Sequence, residues 1–182
     1  IPPSAHAPYK VAKSGFGSPS RFPSASLIAD FSILFFILCG LQSFASDSLN
    51  IINKKVNFGF AANANRSVNS VIVHSTFNNS GGDKYDIDLV IKQFSTYGVS
   101  AHYVIGRDGK IYQLVDEKDN SYHAGKSSLP DGTTNVNSCS IGIELMTSYT
   151  ESPTKEQEAA LLNLINSIKK RYRDRKSTRL NS

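Results

Sequence analysis

Cysteine and methionine are scarce in this chain, and neither a membrane-length apolar run nor a basic groove is present. Two cysteines, Cys39 and Cys139, in 182 residues are too few for a disulfide framework to carry the fold. The single methionine, Met146, lies deep in the sequence. The chain is therefore read as a fragment whose first residue is not a natural translation start. No apolar stretch approaches the ~20 residues that cross a bilayer. The longest, residues 31–41 (FSILFFILCGL), stops at eleven. The net charge of +5 is local: residues 169–179 hold seven basic side chains against Asp174 alone, and without them the remainder carries one net negative charge. Cations there suit the negative pole of a helix C-terminus. A basic surface interleaved with aromatics, the mark of a nucleic-acid binder, is not visible, so no nucleic-acid partner is expected.

The content that remains is that of one domain with flanking segments. At 40% hydrophobic and 19% charged residues, a middle segment can bury a core. Residues 1–26, rich in Ser, Pro and Ala without periodicity, read as a disordered leader or upstream read-through. Residues 27–45 read as a signal peptide cut after Ala45, with small Ser43 and Ala45 at the cleavage site. A buried core helix competes, since the nearest preceding basic residue is Arg21. Bulky Leu38 disfavours a lipid anchor on Cys39. The expected product is exported, periplasmic or extracellular, monomeric, and without a stable membrane span after signal cleavage. The domain is assigned to residues 46–174, and residues 175–182 (RKSTRLNS) read as a translated adaptor sequence foreign to it.

Strands and helices alternate along the domain. Residues 70–76 (SVIVHST) form a β-branched run with polar residues at its end, a buried strand reaching a surface site. Ile87, Val90, Ile91, Phe94 and Tyr97 follow helical spacing, with Gly98 where a C-cap belongs. Residues 101–105 and 110–115 flank Gly106-Arg107-Asp108-Gly109, a hairpin signal. Residues 138–145 (SCSIGIEL) read as another buried strand, with Cys139 a small buried side chain rather than a nucleophile. Thr154 and Gln157 form a capping box for a final helix, whose apolar face of Leu161, Leu164, Ile165, Ile168 and Tyr172 predicts an end near Tyr172. The fold class is α/β: a central mixed β-sheet flanked by helices, a single domain, incomplete at the C-terminus.

Charge inside a buried strand is costly unless it serves a purpose, which singles out Glu144 and His74. Glu144 is a cleft-facing acid/base, an exposed edge residue or a carboxylate paired to an arginine. His74 is a metal ligand, a general base or a hydrogen-bonded core residue. With His102 and His123 they suggest a three-histidine zinc site beside a carboxylate, although no histidine pair is spaced one helical turn apart.

Four pieces, in order, resemble the type 2 amidase and peptidoglycan recognition protein superfamily: residues 71–76 (VIVHST), 99–105 (VSAHYVI) with Arg107-Asp108-Gly109, 122–125 (YHAG) and 137–145 (NSCSIGIEL). The likeness covers roughly residues 68–172. It implies a zinc-dependent N-acetylmuramoyl-L-alanine amidase that cuts the amide bond between N-acetylmuramic acid and L-alanine, with peptidoglycan or muropeptides as partners. His74 becomes the first zinc ligand and Glu144 the catalytic acid/base. His102 becomes a structural support of the sheet, and His123, Ala124 and Gly125 line the substrate groove. The three-histidine site gives way to this assignment. The family's other zinc ligands, a histidine and an aspartate or cysteine, and a lysine that stabilises the oxyanion, lie beyond the final helix and have no counterpart here. A tyrosine of some phage relatives is replaced by Ala101. The chain as it stands is accordingly expected to be inactive and to hold zinc substoichiometrically. The rival reading is a noncatalytic peptidoglycan-binding module of the same superfamily.

Overall fold

The computed structural model describes residues 49–63 and 65–180, of which the last six are described as backbone alone. The expected leader, the signal peptide and Cys39 lie outside the described residues. The elements are β1 (Ile51–Asn53), β2 (Phe60–Ala61), β3 (Ser70–Thr76), α1 (Ile87–Tyr97), β4 (Tyr103–Ile105), β5 (Ile111–Gln113), β6 (Asn120–Ser121), α2 (Val136–Cys139), β7 (Ser140–Met146) and α3 (Lys155–Leu180). Five strands make one sheet in the order β1-β5-β4-β7-β3, and β2 pairs with β6 in a separate ribbon. The sheet is mixed, as expected: β3, β7 and β4 run parallel, β5 pairs antiparallel with β4, and β1 is parallel to β5. Among the described residues no helix is long and apolar enough to cross a membrane.

The runs at residues 70–76 and 140–146 become the two longest strands. β7 is buried along its whole length, whereas β3, expected to be buried, is half-buried up to Ser75 because it forms an edge of the sheet. On one face Ile141, Ile143 and Leu145 join Tyr103, Ile105 and Ile111 under Leu164 and Ile168 of α3. On the other, Val104 and Met146 pack with Val90 and Phe94 of α1. Full burial of each such side chain contributes about 1.5–3 kcal/mol. Asp86 caps α1, its Oδ1 accepting from the Asp88 and Leu89 amides at 2.8 and 3.0 Å. Gly98 ends the helix in the left-handed conformation at φ 63°.

Several expectations need correction. Tyr97 continues the helical spacing yet is 57% exposed, because it sits in the last turn beside the cap. The final strand begins at Ser140 rather than Ser138. Asn135 adopts φ 53° and starts a short helix in which the Ser138 and Ser140 hydroxyls donate to the Asn135 and Val136 carbonyls. Cys139 ends that helix, half-buried, with its thiol toward the Val136 carbonyl. The last helix runs past Tyr172 to Leu180, since a helix can continue after its apolar stripe has left the sheet.

The capping box forms as read: the Gln157 amide donates to Thr154 Oγ1 and the Thr154 amide to Gln157 Oε1, both at 3.1 Å. Gln157 is fully buried, and its Nε2 also donates to the Ile105 and Met146 carbonyls at 3.1 and 3.2 Å. The start of α3 is thereby tied to the ends of β4 and β7.

Candidate active site

Parallel pairing of β3 with β7 sets His74 directly beside Glu144, and β4 on the other side sets Val104 beside the same glutamate. Alternation along β7 then puts Gly142, Glu144 and Met146 on one face. Met146 lies under α1, while a side chain at Gly142 would collide with His123, its Cβ 2.3 Å from the His123 Cγ. Gly142 is therefore the place where a histidine ring lies flat against backbone. Glu144 stands between these two covers.

Glu144 is 6% exposed, and its Oε2 is buried without a hydrogen-bond partner. Burial pushes its pKa up to about 8, because desolvation disfavours the charged form. Of the alternatives open from sequence, this excludes an exposed edge residue, and no arginine is paired with it among the described residues. A buried carboxyl whose pKa lies near neutrality, with one oxygen unpartnered, is suited to exchanging a proton.

The three histidines do converge, with ring centroids 5.3 Å apart for His74 and His123 and 5.8 Å apart for His102 and His123. Their nitrogens, however, are committed to one another and to the backbone. His102 is fully buried; its Nδ1 accepts from the Gly142 amide at 3.0 Å, and its Nε2 lies 2.8 Å from Arg66 Nη1 and 3.1 Å from the Asp119 carbonyl. Burial pulls its pKa down to about 4, so the ring is neutral and serves to close the gap where β4 begins. His123 is 5% exposed and lies between His74 Nε2 and the Ser140 hydroxyl, each at 3.1 Å. Burial, and then the proximity of His74, hold its pKa well below the ordinary range. What His123 offers a bound molecule passes through His74, whereas Ala124 is half-buried and Gly125 exposed at the surface.

Three residues that received no individual role from the sequence hold this arrangement. Asn137 in α2 accepts both the His123 and Ala124 amides on its Oδ1, at 3.2 and 2.9 Å. Ser140 anchors the far side of the His123 ring. Arg66 reaches in from the segment before β3 and donates to the Asp119 and Ser140 carbonyls, with burial lowering its pKa.

Among the described residues no group of three His, Cys, Asp or Glu side chains is placed to hold a metal ion. A zinc site needs about three protein ligands and an open position. The resemblance offers His74 alone as a ligand among the described residues, so their donor set does not by itself fit the ion.

Comparison with known proteins agrees with the fold. The chain matches, at 42% identity over 74 residues, the 1,6-anhydro-N-acetylmuramyl-L-alanine amidase AmpD of Haemophilus influenzae, covering 41% of this chain and 40% of that protein. The same enzyme of Citrobacter freundii matches at 42% over 74 residues, covering 41% of this chain and 39% of that one. The matched segment thus spans about two fifths of the length of these curated relatives. Among solved structures, a selenomethionine derivative of AmpD superimposes with a TM-score of 0.54 at 27% identity, covering 67% of this chain and 75% of the other. The amidase LysC of Clostridium intestinale gives 0.52 at 24% identity, covering 68% and 77%, a likeness of fold alone. Residues 64–180 match the Amidase_2 family, described as N-acetylmuramoyl-L-alanine amidase, and since that match takes in well over half of the sequence, the chain belongs to this family.

Proposed function

We propose that this domain hydrolyses the amide bond between N-acetylmuramic acid and L-alanine in peptidoglycan or muropeptides. The observation that carries the reading is Glu144: a buried carboxyl with a partnerless oxygen, one strand away from His74, on a sheet whose relatives are named for this activity. Water adds its oxygen to the amide carbonyl carbon while Glu144 takes the proton it sheds. Glu144 then returns the proton to the alanine nitrogen as the carbon–nitrogen bond breaks, so a carboxylic acid and a free amine leave. One group serves both transfers, because the acid formed in the first step is the donor for the second.

Zinc belongs to the proposal through the resemblance, with His74 as one ligand and the remainder outside the described residues. No step above is routed through it. Export to the periplasm or cell exterior is proposed from the signal-peptide reading of residues 27–45, and a monomeric state is proposed beside it.

The test uses protein expressed from the complete open reading frame and a muramyl-L-alanyl peptide, with release of the free alanyl amine as readout. Glu144→Gln is expected to lower turnover about 10²–10⁴-fold while the peptide still binds. Turnover at the wild-type rate in that variant sinks the role of Glu144. Wild-type protein that binds the peptide and leaves it whole instead supports the noncatalytic binding module.

A further inference from the structure

The two longest strands leave the sheet side by side, and each is followed by an aromatic residue. The Thr147 amide donates to the Thr76 carbonyl at 3.0 Å, and just beyond it Phe77 and Tyr149 meet edge to face, with ring centroids 5.4 Å apart at 89°. Phe77 is half-buried, whereas Tyr149 is 64% exposed. A single exposed tyrosine is ordinary. This one sits on a turn that is fixed from several sides. Thr147 and Ser148 before it are buried, and the Glu151 amide after it donates to the Ser148 carbonyl at 3.3 Å. The Glu151 carboxylate accepts from the Tyr85 hydroxyl and lies 3.7 Å from the Arg107 guanidinium, which donates to the Ser152 carbonyl at 3.0 Å. Phe77 is held as well, its carbonyl accepting from Gln93 Nε2 at 3.1 Å. A ring set in place beforehand loses little freedom when something binds to it.

The chemistry on either side of that ring is uncharged. Residues 77–82 (FNNSGG) and 147–150 (TSYT) hold hydroxyls, amides and aromatic faces and no charged side chain. Glu151 and Arg107 are occupied with each other, with Tyr85 and with the backbone. A peptide bearing carboxylates would meet no cation in either segment. A pyranose, in contrast, turns C–H faces to an aromatic ring and hydroxyls and amides to polar neighbours. Phe77 lies three residues beyond His74, which at ~3.3 Å per residue sets the aromatic pair roughly 10 Å along the sheet from His74 and Glu144. We propose that Tyr149, backed by Phe77, is a platform for an N-acetylated pyranose of the glycan, a sugar subsite at the same end of the sheet as Glu144 and separate from it. This rests on the peptidoglycan reading above but not on hydrolysis, since a noncatalytic module would use the same ring.

The test is a nuclear magnetic resonance titration of the 182-residue chain, with ¹³C in its tyrosine rings and ¹⁵N in its amides, against tri-N-acetylchitotriose. That sugar is neutral and carries no peptide. Tyr149→Phe identifies the Tyr149 ring signals, which should move saturably with added sugar, while those of the equally exposed Tyr97 at the end of α1 stay in place. Affinity is read from the amides of residues 147–150. Tyr149→Ala should weaken binding about tenfold or more, and Tyr149→Phe, which keeps the ring, should stay within about threefold of the wild type. Circular dichroism checks that both variants are folded, and the wild-type titration decides by itself if Tyr149→Ala is not. Tyr149 signals unmoved at about 20 mM sugar overturn the proposal, as does a folded Tyr149→Ala that binds like the wild type. A second titration, with a muramyl-L-alanyl peptide, separates the two ways of failing. Binding elsewhere on the chain with Tyr149 unmoved overturns the sugar platform alone, whereas no binding of either ligand overturns the peptidoglycan reading with it. A free L-alanyl peptide that moves Tyr149 where chitotriose does not overturns the proposal in favour of a peptide subsite.

Discussion

Burial of Glu144 costs stability, and the direction of that effect follows from its pKa. In the unfolded chain the carboxyl titrates near 4.5, and in the fold at about 8. Below the lower value both states are protonated and the group costs nothing. Between the two, the unfolded chain releases a proton that the folded one keeps, so stability falls as pH rises, by about 1.4 kcal/mol per unit, and levels off above pH 8. Glu144→Gln keeps the shape and cannot ionise. Its melting midpoint should equal that of the wild type near pH 4.5 and exceed it at pH 8.5, by the equivalent of roughly 2–5 kcal/mol. Thermal scans at the two pH values check this, and a difference independent of pH refutes the buried, uncompensated carboxyl. Gly142 is constrained by the neighbouring histidine instead. Because His123 is held at both ends, by His74 and by Ser140, it cannot yield to a methyl group at position 142. Gly142→Ala should therefore cost about 1–3 kcal/mol in urea unfolding. A variant as stable as the wild type would show that the ring is loose.

At the scale of elements, Gln157 connects the start of α3 to the ends of two central strands. Its side chain satisfies the Ile105 and Met146 carbonyls and the Thr154 amide, all from a fully buried position. Gln157→Met fills the same space and leaves these groups without a partner. A loss of about 2–4 kcal/mol is expected, since each buried group left unbonded costs about 1–3 kcal/mol. An unchanged urea midpoint would mean that water reaches them. The capping box itself was legible in sequence, as were the strand at residues 70–76, the stripe of α1 and the Gly98 cap, because each is a local pattern with one physical solution. The reach of Gln157 to β4 and β7 was not, since nothing local encodes a contact 52 residues away. The two-residue strands β2 and β6 left no periodic signal. The start of β7 was misread because Ser138 and Cys139 suit either a strand or a helical turn, and Asn135 decides for the turn by its left-handed backbone.

For the molecule as a whole, the sheet brings together residues whose separation along the chain hides their relation. Sequence marked His74, His102, His123 and Glu144 as residues of interest, but only the parallel register of β3 with β7 shows that His74 and Glu144 are neighbours. Equally, four such residues suggested a shared metal, and only the bonding of each nitrogen shows why His102 and His123 are unavailable to one. The consequence is measurable. Zinc held tightly by the native state raises stability in proportion to the logarithm of its concentration over its dissociation constant. With His74 the one proposed ligand among the described residues, affinity should be too weak for that effect at micromolar metal. After equilibration with zinc and desalting, the 182-residue chain should retain well under one equivalent by elemental analysis, and its melting midpoint should not rise with added metal. Retention of a full equivalent, lost in His74→Ala, would instead place completing ligands in the part of the chain outside the described residues.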